Sequence, residues 1–264
     1  MTERGDEGGS VPARRRRGIY LLPNLFTTAA LFAGFYAIVA ACNGRFEAAA
    51  ISLFVAMCLD GIDGRIARLT NTQSAFGAEY DSLSDMASFG LAPALVVYEW
   101  SLHALGKPGW LAAFLYATMT ALRLARFNTQ AGTADKRYFQ GLPSPAAAAL
   151  VTGIVWLGDD GGLRGHGAMT TLSFALTVTA ALLMVSNIRY YSFKDLDLKG
   201  RVPFFKALLV VMVFVFISVN PALNLFLVAA VYATSGPVWT LVQLRQRRQA
   251  RRMAAAADRP PPAG

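Results

Sequence analysis

The chain of 264 residues is 55% hydrophobic and 16% charged, with a formal net charge of +9. A soluble domain of this length carries more charge and shorter apolar runs, so the composition excludes a soluble enzyme and points to a polytopic membrane protein. Its two cysteines, Cys42 and Cys58, fall within apolar runs, where a thiol acts as a small hydrophobe and carries no disulfide framework.

In chain order, residues 1–18 read as a disordered basic tail containing "RRRR" at 14–17. Apolar segments follow at roughly 21–41, 46–69, 82–102, 110–127, 144–158, 168–187, 204–219 and 222–242. The first follows the arginines without a small-residue cleavage site and reads as a retained span. The expected fold is therefore an all-α transmembrane helix bundle over residues 19–242, with about eight spans. Six is the fallback, because the fifth and seventh segments are short for a ~30 Å hydrocarbon core. Residues 243–264, with "RQRRQARR" and a proline-rich end, read as a second basic tail.

Basic residues set the expected orientation. Arg45, Lys107 and Arg164 are the Lys and Arg of the odd-numbered connections; the rest of the 25 lie in the termini, in the even-numbered connections or at the span ends beside them. Under the positive-inside rule both termini are cytoplasmic, as expected for a protein of the cytoplasmic (inner) membrane. The arginine runs fix topology or attract anionic membrane lipids, and no nucleic-acid partner is expected.

Against this apolar background stands "LDGIDGRIARLTNTQSAFGAEYDSLSD", Leu59 to Asp85. Asp60, Asp63, Gly64, Ala67 and Arg68 share one helical face, and Gly77, Asp81 and Asp85 stack at intervals of four on the next helix. Ionised carboxylates at membrane depth are rare and functional, and four in one cavity must bind protons or cations. Arg65 and Arg68 are too few to neutralise them. All-oxygen ligands favour two divalent cations, Mg²⁺ or Mn²⁺, with Ca²⁺ the lesser fit. Paired ions of this kind serve phosphoryl and phosphodiester transfer, Arg68 can hold a phosphate, and Gly64 and Ala67 leave room for a nucleobase or ribose.

These residues spell D-x2-D-G-x2-A-R-x8-G-x3-D-x3-D without a departure, and the chain thereby resembles the CDP-alcohol phosphatidyltransferase family. The resemblance implies that Asp60 and Asp81 bridge two metal ions, Asp63 ligates one, and Asp85 stands at the other as general base. It implies CDP-diacylglycerol binding by Gly64, Ala67, Arg68 and Gly77, a diphosphate contact at Ser74, and a role for Asn24 and Thr27 in "PNLFT". It further implies a homodimer, while the positive-inside rule puts the Asp-rich stretch on the cytoplasmic side.

The acceptor is read from further stretches. "RLARFN", "YFQGLPSPAAAA" and "SNIRYYSFKDLDLKGRVPF" resemble the branch of the family that uses L-serine. Arg123, Arg126 and Asn128 are candidates for the serine carboxylate, and Asn187, Arg189 and Lys194 for the same cavity. In "GLPSPA", Ser144 is expected to cap a helix. Rival readings are a sibling enzyme using glycerol 3-phosphate or inositol phosphate, and a cation-coupled transporter.

Overall fold

The computed structural model describes residues 21–70, 72, 74–130, 138–191 and 204–257. The N-terminal tail and Lys194 lie outside them. The described chain is mostly helical. Its helices are α1 (Leu21–Cys42), α2 (Phe46–Thr70), α3 (Ala75–Asp85), α4 (Ala92–Trp100), α5 (Lys107–Gln130), α6 (Ser144–Asp160), α7 (Gly167–Val185), α8 (Phe204–Val219) and α9 (Pro221–Ala257). Pro23–Cys42, Gly167–Val185 and Pro221–Gln243 are long and apolar enough to cross a membrane.

α1 and α2 form a tight antiparallel pair. Their turn needs Gly44, whose φ of 72° suits glycine, and Asn43 Nδ2 donates to the Val39 carbonyl at 2.7 Å. Small residues let the helices approach: Ala37, Ala40, Ala41 and Ala49 are buried together with Phe46 and Leu53. α6 lies against α2, α7 and α9, while α5 packs on α7. α8 packs on α9 and exposes its apolar residues from Val211 to Phe216. Exposed apolar side chains on helices this long fit a lipid surround better than water.

Four features depart from the sequence expectation. Residues 82–102 do not form one regular helix, because a π-helical turn (Met86–Leu91) links α3 to α4. Ser88 Oγ bonds to the Ala30 carbonyl there at 3.2 Å, and Gly34 lets α1 come close enough that an added Cβ would sit 2.6 Å from Ser88 Oγ. The fold is not purely helical, since β1 (Tyr138–Gln140) and β2 (Arg189–Tyr191) pair antiparallel, with Phe139 opposite Tyr190 and Gln140 opposite Arg189. Ser144 is not a cap; Pro143 holds the N-cap position of α6 without a side-chain bond. Finally, α9 continues as helix to Ala257, through the region expected to be a disordered tail.

Candidate active site

The two aspartate-bearing helices bring their carboxylates together. α2 carries Asp60 and Asp63 on its C-terminal half. The chain then reverses within a few residues, where Thr72 N bonds to the Ala67 carbonyl at 3.1 Å. Ser74 starts α3 as its N-cap and accepts from Gly77 N at 3.0 Å. This short link sets α3 beside α2, so carboxylate oxygens of Asp60, Asp63 and Asp81 lie within 4.8 Å of one another. The Asp85 carboxyl lies close enough to Asp60 and Asp81 for their charges to interact.

α1 supports the cluster. Thr27 is buried, and its hydroxyl donates to Asp63 Oδ2 at 2.8 Å; Asp63 itself is only 4% exposed. Ser84 Oγ bonds to the Thr27 carbonyl at 3.2 Å, and Thr28 Oγ1 lies 2.9 Å from Tyr80 Oη, so α3 is tied to the same turn of α1. Thr27 thus reaches a carboxylate directly, a contact that a spacing of 36 residues gives no hint of.

The donor set fits a hard cation. Among the described residues Asp81 Oδ1 and Asp85 Oδ1 are buried with no hydrogen-bond partner, and buried carboxylate oxygens left so call for a proton or a cation. All the candidate ligand atoms are oxygen, which disfavours zinc.

Around this cluster the other motif residues take distinct places. An added Cβ on Gly64 would meet nothing within 4 Å, so the α2 face beside Asp63 is open. Ala67 is half-buried one turn further on. Arg68 Nε donates to the Gly64 carbonyl at 2.9 Å, so the exposed guanidinium is anchored on its own helix. Ser74 and Asn24 converge on Gly77, where an added Cβ would lie 3.1 Å from Ser74 Oγ and 3.5 Å from Asn24 Oδ1.

The acceptor candidates separate. Arg123 is buried, donates from Nη1 to Ser144 Oγ at 2.7 Å, and is near enough to Asp85 for their charges to interact; its Nε has no partner among the described residues. Arg126 is occupied, giving Nη2 to Gln140 Oε1 at 2.7 Å and Asn187 Oδ1 at 2.8 Å, and Nη1 to the Val185 carbonyl at 3.4 Å. Asn128 Nδ2 donates to Ser82 Oγ at 3.0 Å, tying α5 to α3. Ser144 and Gln140, passed over as site residues on sequence grounds, both hold an arginine, and "GLPSPA" was the stretch that could have pointed to Ser144.

Residues 20–185 match the sequence model for CDP-alcohol phosphatidyltransferase, which spans more than half of the chain. The chain belongs to the CDP-alcohol phosphatidyltransferase family. It is 41% identical over 210 residues to the CDP-diacylglycerol–serine O-phosphatidyltransferase of Helicobacter pylori (strain ATCC 700392 / 26695), covering 79% of this chain and 87% of that protein. A protein of the same name from Mycobacterium tuberculosis (strain ATCC 25618 / H37Rv) is 40% identical over 183 residues, 66% of this chain and 63% of the relative. The Saccharomyces cerevisiae protein of that name is 35% identical over 139 residues, 47% of this chain and 50% of its own length. Family membership makes the chain a transferase of phospholipid synthesis and sets the transporter reading aside.

Proposed function

We propose that the protein makes phosphatidylserine, transferring the phosphatidyl group of CDP-diacylglycerol to the hydroxyl of L-serine with release of CMP. The observation that carries this reading is the meeting of Asp60, Asp63 and Asp81 within 4.8 Å, with Asp85 and then Arg123 beside them. The serine-transferring relatives support the choice of acceptor.

Asp60 and Asp81 would bridge a pair of divalent ions, Mg²⁺ or Mn²⁺, with Asp63 on one and Asp85 on the other. When bound, such ions neutralise the diphosphate and make its phosphorus a better electrophile. Thr27 fixes the rotamer of Asp63. Arg68 turns toward the diphosphate, and Gly64, Ala67 and Gly77 leave space for the cytidine and ribose, with Asn24 and Ser74 along the same wall. Asp85 takes the proton from the serine hydroxyl as that oxygen attacks phosphorus. The bond from phosphorus to the CMP oxygen breaks, and CMP leaves as the anion. Arg123 holds the serine carboxylate so that its hydroxyl faces Asp85. The eight long helical segments would span the bilayer with both termini cytoplasmic, the acyl chains remaining in lipid while the diphosphate meets the site at the inner face. The working unit would be a homodimer.

The test is CMP release by purified protein given CDP-diacylglycerol, divalent metal and one alcohol at a time. Serine alone among serine, glycerol 3-phosphate and inositol phosphate should support turnover and yield phosphatidylserine. Turnover with a phosphorylated alcohol and none with serine would refute the acceptor.

A further inference from the structure

Pro237 lies inside α9 and has no N–H, so the carbonyl of Ala233, four residues earlier, loses the bond an ordinary residue would give it. Tyr190 of β2 takes that place, its phenol donating to the Ala233 oxygen at 2.9 Å. Its ring can reach because residue 236 is glycine: a Cβ there would lie 2.5 Å from Tyr190 Cζ and 2.9 Å from Ile188 Cγ2. One turn earlier, Tyr232 donates from its phenol to the Tyr191 carbonyl at 3.1 Å, with ring centroids 5.6 Å apart from Tyr190. Burial, with a smaller push from Tyr232, raises the Tyr190 phenol to about 12, so it remains a donor near neutral pH.

β2 is also tied to the opposite side of the site. It pairs with β1, and Arg126 of α5 bridges Gln140 of β1 and Asn187 just before β2. One turn back on α5, Arg123 is held by Ser144 and interacts electrostatically with both Asp85 and Tyr232. The β1·β2 pair is therefore a bracket between α5 and α9.

We propose that Tyr190 is a positioning residue for the acceptor alcohol: its bond to Ala233 latches α9, and with it Tyr232, onto the β1·β2 bracket and sets the wall against which Arg123 faces Asp85. Arg126 serves the bracket rather than the serine carboxylate. This rests on the reading that the acceptor sits between Asp85 and Arg123.

The test is Tyr190→Phe, which removes one oxygen and keeps the ring. In steady-state kinetics on full-length protein, KM for L-serine should rise about fivefold, the factor one ordinary hydrogen bond represents, with kcat and KM for CDP-diacylglycerol held within about twofold. Unchanged KM for serine, or a fall in kcat alone, would overturn the latch. Pro237→Ala supplies a backbone donor to the Ala233 carbonyl but no tie to β2, so the double variant Tyr190→Phe/Pro237→Ala should keep the raised KM for L-serine. Return of KM to within about twofold of wild type in the double variant would show that only the missing bond within α9 mattered and would overturn the latch. Wild-type turnover with some other alcohol of the panel and none with serine would refute the proposed acceptor, and the latch would then be judged on the KM of the alcohol used.

Discussion

Replacing Thr27 with Val keeps the shape of a buried side chain and deletes the hydroxyl that meets Asp63 Oδ2 at 2.8 Å. A hydrogen bond to a charged acceptor contributes about 1.5–3 kcal/mol, which at ~1.4 kcal/mol per decade is roughly a 10- to 150-fold change in an equilibrium constant. Loss of a group that orients a metal ligand usually weakens the site by about 10- to 100-fold, in agreement with that range. The expectation is a higher Mg²⁺ or Mn²⁺ concentration at half-maximal CMP release, by at least about tenfold, with recovery of most of kcat at saturating metal. Metal-induced thermal stabilisation in detergent should shift by the same factor. Thr28→Val is the control, since Thr28 Oγ1 contacts the Asn24 carbonyl and Tyr80 and no carboxylate, and it should move half-saturation by less than about twofold. Half-saturation in Thr27→Val within about twofold of wild type would refute a metal site built on Asp63 and steadied by α1.

Asp85→Asn should keep its stabilisation by CDP-diacylglycerol while CMP release falls about 10²- to 10⁴-fold; turnover within tenfold of wild type would remove Asp85 as base. Treatment with EDTA should abolish CMP release and Mn²⁺ or Mg²⁺ should restore it, whereas activity indifferent to chelator would end the metal reading. Gly34→Ala forces a Cβ to 2.6 Å from Ser88 Oγ and 2.8 Å from Ser88 Cα, so the helices must part at the π turn. Overpacking of this kind destabilises by about 1–3 kcal/mol, seen as a lowered midpoint of thermal unfolding in detergent, and an unchanged midpoint would contradict the close approach of α1.

The aspartate cluster was legible in the sequence because its members are local. Asp60 and Asp63, and Asp81 and Asp85, are fixed relative to each other by the helical repeat alone, and the short polar link allowed only an antiparallel return. What the sequence hid depends on contacts between distant segments. Thr27 reaches Asp63 only because small residues draw α1 and α2 together. The π turn is a local backbone state chosen by Ser88, Gly34 and Pro93, none of which alters hydrophobic periodicity. The three-residue strands β1 and β2 are too short to show alternation. Ser144 sits where a cap is expected, yet its hydroxyl accepts from Arg123, a preference for a charged partner that sequence cannot rank. The basic run on α9 reads as a solvated tail by charge, but arginine and glutamine are good helix formers and the preceding span supplies the nucleus.

Two prolines near the site interrupt helical bonding, and a tyrosine from another element answers each. Pro93 cannot donate to the Phe89 carbonyl within the π turn, and Tyr116 of α5 donates there at 3.1 Å. Pro237 cannot donate to Ala233, and Tyr190 does so at 2.9 Å. In a low-dielectric interior an unpaired carbonyl costs several kcal/mol, so an irregular helix persists only when a partner is built in. Each repair also binds its segment to a specific neighbour: the π turn that follows Asp85 to α5, which carries Arg123, and α9 to the strand pair that Arg126 braces. The same bonds that excuse the breaks hold the prospective base and the prospective carboxylate partner on elements tied to one another. A phenylalanine at either tyrosine leaves the ring packing and frees the carbonyl, so its first effect falls on the relative placement of these helices rather than on the metal-ligand cluster itself.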